Sequence, residues 1–161
     1  MNTLLHTLAV GVGATAIMDL WAVARRSFFG IALPNYRLVG RWIGHMRFGR
    51  FRHEAIAASE PICGEGALGW SMHYLIGIAF ATLLIGLCGV EWLRQPTLVP
   101  ALMVGIGTVL APFLLMQPGM GAGIAASRTP RPGAARVQSL INHGVFGLGL
   151  YIAAWLVRLL I

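Results

Sequence analysis

Four apolar runs, each about as long as a bilayer is thick, constrain this chain more than any other feature. A hydrocarbon core of ~30 Å takes about 20 residues of α-helix. The segments 4–24, 67–88, 98–117 and 137–157 meet that length. The first closes on Arg25 and Arg26, the second on Gly89 and Glu91, and the third on Pro118 and Gly119. The fourth is opened by Arg136 and followed by Arg158. Charged residues make up only 11 % of the chain and hydrophobic ones 57 %. A soluble domain carries about 25 % charged residues, so most of these residues are expected to face lipid or each other. The expected fold is all-α, a four-transmembrane-helix bundle forming one integral membrane domain over residues 1–161.

The charge of the chain is +7, and all 12 basic residues are arginine. Such an excess can signal nucleic acid, but these arginines sit in the gaps between apolar runs, where headgroups lie, so no nucleic-acid partner is expected. Arg25, Arg26, Arg37, Arg41, Arg47, Arg50 and Arg52 precede or occupy connection 1–2, and Arg128, Arg131 and Arg136 occupy connection 3–4. Connection 2–3 carries Arg94 alone. The positive-inside rule then places connections 1–2 and 3–4 in the cytoplasm and both termini outside. The first residues lack a basic n-region, and the first apolar run is too long for a signal-peptide core. Cys63 and Cys88 fall on opposite sides of that topology, so no disulfide and no Cys-x-x-Cys motif is expected.

Within connection 1–2, Arg37, Arg41 and His45 recur every four residues, as do Leu38, Trp42 and Met46. That spacing predicts a basic amphipathic helix lying at the membrane interface. Pro34 suits its start and Gly49 its stop, while Gly40 and Gly44 weaken it. Many of the 21 glycines fall inside the apolar runs, where small residues let membrane helices approach closely. Gly77 follows His73 by four residues and Gly147 follows His143 likewise, a faint echo of an internal duplication.

Polar residues inside the runs are few, and an ionisable group there costs at least ~2.5 kcal/mol. At a rise of 1.5 Å per residue, Asp19 lies ~9 Å from the cytoplasmic end of its helix, and His73, Asn142 and His143 lie about as deep. Gln117 ends the third run on the same side, and His6 stands alone at the opposite end. One reading is a shared polar layer of Asp19, His73, Gln117, Asn142 and His143 that binds a small ligand or relays protons. Asp19, His73 and His143 are also the candidate ligands for a divalent metal. The bland reading is polar side chains bonding one another across a bundle.

A second constellation runs from Gln117 to Pro130. Gly119, Gly121 and Gly123 at alternate positions free the backbone to approach a ligand, and Ser127, Arg128 and Arg136 follow. With Arg37 and Arg41, these residues suit an anion such as a lipid or isoprenoid phosphate headgroup. The bland alternative is a tight turn held at the interface. No Gly-Lys-Ser/Thr, Gly-x-Ser-x-Gly or His-Glu-x-x-His element occurs. Glu54, Glu60 and Glu65 are expected to be solvated.

Several of these stretches carry a family resemblance. Asp19-Leu-Trp21, Asn35-Tyr36 through Gly40-Arg-Trp42, Gly49-Arg-Phe-Arg-His53, and Gly69-Trp70 with His73-Tyr74 are four of them. Met116-Gln-Pro-Gly-Met-Gly121 with Ala126-Ser-Arg-Thr-Pro130 is the most specific. Together they resemble the domain-of-unknown-function 2938 family across nearly the whole chain. The resemblance implies a small multi-pass protein of the bacterial inner membrane. It implies no activity, cofactor or catalytic residue. Three functions therefore stand as expectations: binding or conduction at the polar layer, an enzyme or binder acting on a phosphate headgroup, and an accessory subunit working in a homo-oligomer or with a membrane-protein partner. Membrane lipids are partners in each.

Overall fold

The structure is a computed structural model that describes residues 2–159. Met1, Leu160 and Ile161 of the expected domain lie outside the described residues. Among the described residues the regular structure is entirely helical. Helix α1 is Thr3–Phe29, α2 is Tyr36–Met46, α3 is Glu65–Cys88 and the short α4 is Glu91–Arg94. Helix α5 is Leu98–Gly119 and α6 is Pro132–Leu159. Helices α1, α3, α5 and α6 are each long and apolar enough to cross a membrane, which makes this a multi-pass membrane protein.

The helices outrun the apolar segments that predict them. Arg25 and Arg26 mark where hydrophobicity ends, but arginine is a good helix former, so α1 continues to Phe29. It stops at Gly30, whose φ of 64° is left-handed and whose N–H bonds back to Arg26, the usual glycine cap. At the start of α1 the Asn2 side chain accepts the Leu5 N–H at 3.3 Å. Asn35 does the same for α2, accepting from Arg37 N at 3.2 Å, so that helix begins two residues later than Pro34 suggests. Gly49, at φ 75°, ends the following turn as expected. Helix α6 opens on Pro132, a residue suited to a first turn because its missing N–H has no partner there anyway.

Helix α5 carries a π-helical turn over Pro112–Met116, in which Gln117 N–H reaches back to Pro112 O. Pro118 has no N–H for the carbonyl four residues before it. A widened turn is one way a helix absorbs such a defect, and π-turns recur at functional sites.

The described chain divides into two compact units. The first comprises Met1–Leu33, Tyr74–Thr108 and Ile141–Ile161, and the second Pro34–His73 and Val109–Leu140. The first has a core of small and branched side chains, with Val10, Ala14, Leu84, Ala101 and Leu150 fully buried and Phe80 edge-on to Phe146. Helices α5 and α6 approach closely, so that a Cβ at Gly105 would overlap the Gly147 Cα. Lipid offers no hydrophobic drive between helices, so this close approach is what dispersion and packing act through. Gly105→Val should separate the two helices and lower the unfolding temperature in detergent. Gly107→Val is the control, because nothing lies within 4 Å of a Cβ there. Equal unfolding temperatures for the two variants would refute the assignment.

The second unit is organised by a carboxylate. Glu65, the first residue of α3, is only 2 % exposed. Arg41 grips it with both Nε (2.8 Å to Oε2) and Nη2 (3.0 Å to Oε1), and Arg37 Nε donates to Oε1 at 3.2 Å. The Ile62 N–H adds a further bond at 3.2 Å. The expectation that Glu65 is solvated is thus corrected. Helix α2 lies so close to α3 that a Cβ at Gly40 would overlap the Glu65 carbonyl oxygen. Gly40, read from sequence as a weakness of α2, is what admits the approach.

Candidate functional site

The second unit contains a cleft of about 510 Å³. One wall comes from the chain after α2. There His53 N donates to Gly119 O at 2.9 Å and Ile56 N to Met120 O at 3.0 Å, which pins residues 53–56 along the Gln117–Gly121 motif. Trp42 reinforces this wall, donating its indole N–H to Phe51 O at 2.9 Å. Its ring also lies where a Cβ on Gly119 would be. Arg52, His53 and Glu54 line the cleft from this side.

The opposite wall is the loop between α5 and α6. Ala122 N bonds back to Gln117 O, and Arg128 N to Ala122 O, both at 2.8 Å. The loop is therefore closed on itself and not held by external partners alone. Ala125 and Ala126 both have positive φ, 46° and 59°. Two successive left-handed alanines are costly for L-residues and persist only where surroundings enforce them. The enforcement is visible: Arg136 Nε donates to Ala125 O at 2.8 Å, and Thr129 Oγ1 donates to Ala126 O at 2.8 Å. The strained turn presents Gly123, Ile124, Ser127 and Arg128 to the cleft, with Pro118 at its base.

Of the residues expected to bind an anion, Gly123, Ser127 and Arg128 line this cleft. The others have different duties. Gly119 and Gly121 make room for Trp42 and for the Glu54 carbonyl, and Arg136 props the Ala125 turn. Arg41 is the clearest correction. Besides Glu65, it donates Nη1 to the carbonyls of Ala57 at 3.2 Å and Ser59 at 3.0 Å, so most of its donors are engaged within the chain. The hydrogen bond to Glu65 raises its pKa above the ordinary arginine value despite some desolvation. Arg37 shares the Glu65 carboxylate, although its side chain is largely exposed.

Two cleft residues escaped the sequence reading as site candidates, Arg52 and His53. His53 is 9 % exposed, and neither of its ring nitrogens meets a hydrogen-bond partner among the described residues. Its ring lies edge-on to that of His45, with centroids 5.0 Å apart. His45 Nε2 is bonded to the Glu60 carbonyl at 2.9 Å, while its Nδ1 has no partner among the described residues. A carbonyl only accepts, so Nε2 of His45 carries the proton. The one available signal was the Gly49-Arg-Phe-Arg-His53 stretch, quoted above for its resemblance only.

A family model described as "Protein of unknown function (DUF2938)" matches residues 8–157. The chain belongs to this family. No curated protein and no solved structure matches it. In this DUF2938 protein the match embraces both walls of the cleft and the Arg41–Glu65 clamp behind one of them.

The candidates for a polar layer are divided between the two units. In the first unit, Tyr74 OH donates to Asp19 Oδ2 at 3.0 Å. There too His143 Nδ1 lies 3.0 Å from Thr108 Oγ1 and 3.3 Å from Gly105 O. Asn142 is half-buried in the same unit. In the second unit, His73 stacks on Tyr36 with centroids 4.0 Å apart, and Gln117 Oε1 is buried without a partner among the described residues. Among the described residues no group of three His, Cys, Asp or Glu side chains could hold a metal ion. The metal reading of Asp19, His73 and His143 therefore gains no support.

Proposed function

We propose that this DUF2938 protein binds a phosphate-bearing anion in the cleft between the Arg52–Glu54 segment and the Gly123–Arg128 loop. The observation that carries this reading is that Arg52 and Arg128 both line one cleft. Neither is ion-paired among the described residues, and Ser127 and the unpartnered His53 stand beside them. Guanidinium and hydroxyl donors suit phosphate oxygens. Glu54 on the rim disfavours indiscriminate anion capture. The arginine distribution supports a cytoplasmic position for the cleft, where lipid or isoprenoid phosphates and soluble phosphates would be within reach.

Titration of the purified protein with inorganic phosphate and with a short-chain phosphatidic acid tests the proposal and separates the two sources. Arg128→Ala is expected to weaken whichever ligand binds by roughly tenfold or more, the scale of one charge-assisted hydrogen bond. Asp19→Asn should leave affinity unchanged. Binding that ignores both Arg128→Ala and Arg52→Ala would remove the cleft from consideration. The ion- or proton-handling alternative at Asp19, His73, Gln117, Asn142 and His143 rests on matched depth in the sequence alone.

A further inference from the structure

Helix α1 carries Trp21 and Arg25 one turn apart, hence on one face. Arg25 is 5 % exposed, and its guanidinium carbon lies 5.8 Å from the centroid of the Trp21 ring. Its Nε and Nη1 are both buried without a hydrogen-bond partner among the described residues, and so is the indole Nε1 of Trp21. One helix turn thus holds three buried N–H donors with no acceptor bonded to any of them.

A buried lysine or histidine can escape such a position by losing its proton. A guanidinium has no neutral form to fall back on. The face of Trp21 offers it a cation–π contact, but that leaves the N–H groups of Nε and Nη1 unsatisfied. An unpaired buried charge is among the costlier features a fold can hold, so the missing acceptor has to come from outside the chain. Its chemistry follows from the donors: it is negatively charged and rich in oxygen.

The surroundings narrow it further. Arg25 lies near the end of a helix long enough to cross a membrane, at the level where headgroups begin. Phe28 and Phe29, one turn beyond it on the same face of α1, are exposed apolar side chains, a surface suited to acyl chains. We propose that Trp21 and Arg25 hold the phosphate of a membrane phospholipid. This site belongs to the first unit and does not depend on the cleft of the second.

The test uses the full chain, delipidated in detergent and titrated with dioleoyl phosphatidylglycerol, with lipid adducts counted by native mass spectrometry. The wild type is expected to retain one adduct that Arg25→Met lacks, and Arg25→Met should bind the lipid roughly tenfold or more weakly. Trp21→Phe, which removes the indole N–H and keeps an aromatic ring, should weaken it several-fold. Without lipid, Arg25→Met should unfold at or above the wild-type temperature, since it removes an unpaired charge. Arg128→Ala should keep the Arg25-dependent adduct, which separates this site from the cleft. Equal adduct counts and affinities in wild type, Arg25→Met and Trp21→Phe would overturn the proposal. Displacement of the adduct by millimolar inorganic phosphate would also overturn it, because the site would then take free phosphate. Should Arg25→Met fail to fold, Trp21→Phe alone decides.

Discussion

Replacing Glu65 with glutamine is expected to destabilise this protein more than neutralising any other of its five acids. The carboxylate is buried and accepts from Arg41, Arg37 and the Ile62 N–H at once. Glutamine keeps the shape but loses the charge, leaving Arg41 buried against a neutral amide. Removing one member of a buried ion pair strands the other, which is worse than removing both. The double variant Glu65→Gln with Arg41→Met should therefore recover part of the loss, a coupling that a double-mutant cycle measures. Glu91→Gln is the contrast, because Glu91 and its partner Arg94 are both exposed and such pairs contribute little. The effect should spread to the cleft, since Arg41 also holds the Ile56–Ser59 carbonyls just beyond His53. Thermal unfolding in detergent reads the first effect and phosphate titration the second. A Glu65→Gln protein that melts with the wild type would show that the clamp does not hold the unit.

Gly121→Ala should be the most damaging single methyl addition in the Gln117–Pro130 motif. Gly121 has φ 95°, a conformation an L-residue rarely adopts, and its Cβ would overlap the Glu54 carbonyl oxygen. Left-handed backbone alone costs roughly 1–2 kcal/mol in a residue with a side chain, and the overlap forces the two cleft walls apart in addition. Loss of phosphate binding is expected with helical circular dichroism nearly intact, because no spanning helix contains the residue. Gly86→Ala is the control, a helical position with nothing within 4 Å of the added carbon. There alanine is as stable as glycine or more so. If Gly121→Ala binds phosphate as the wild type does, the motif does not shape the cleft.

Both variants act on features that differ in how far the sequence discloses them. The glycines at 119, 121 and 123 stand out by spacing, and their need for close approach was legible. Which object approaches them was not: Trp42, the Glu54 carbonyl and Ser127 are remote or irregular in register. Glu65 read as a surface acid because its two arginines lie 24 and 28 residues away along the chain. The same separation made Arg37 and Arg41 look free for headgroups. His53 offered no periodicity at all, being in a loop. The left-handed pair Ala125–Ala126 lay beyond any propensity argument, since alanine normally avoids that region. It exists because Arg136 and Thr129 hold its carbonyls.

By itself, the sequence determined that four helices of this DUF2938 protein are built to cross a membrane and which connections carry its arginines. Those are properties of consecutive residues. About 20 apolar side chains in a row satisfy a bilayer whatever they pack against, and charge in the gaps needs no partner to be counted. The tertiary structure decided which charges are spent and which remain available. Arg41 is held by Glu65, while Arg52 and Arg128 both line one cleft and Arg25 is buried with its Nε and Nη1 unpartnered among the described residues. Pairing falls steeply with distance and geometry, so it is settled by contacts between residues far apart in the chain, and only the folded arrangement sets those.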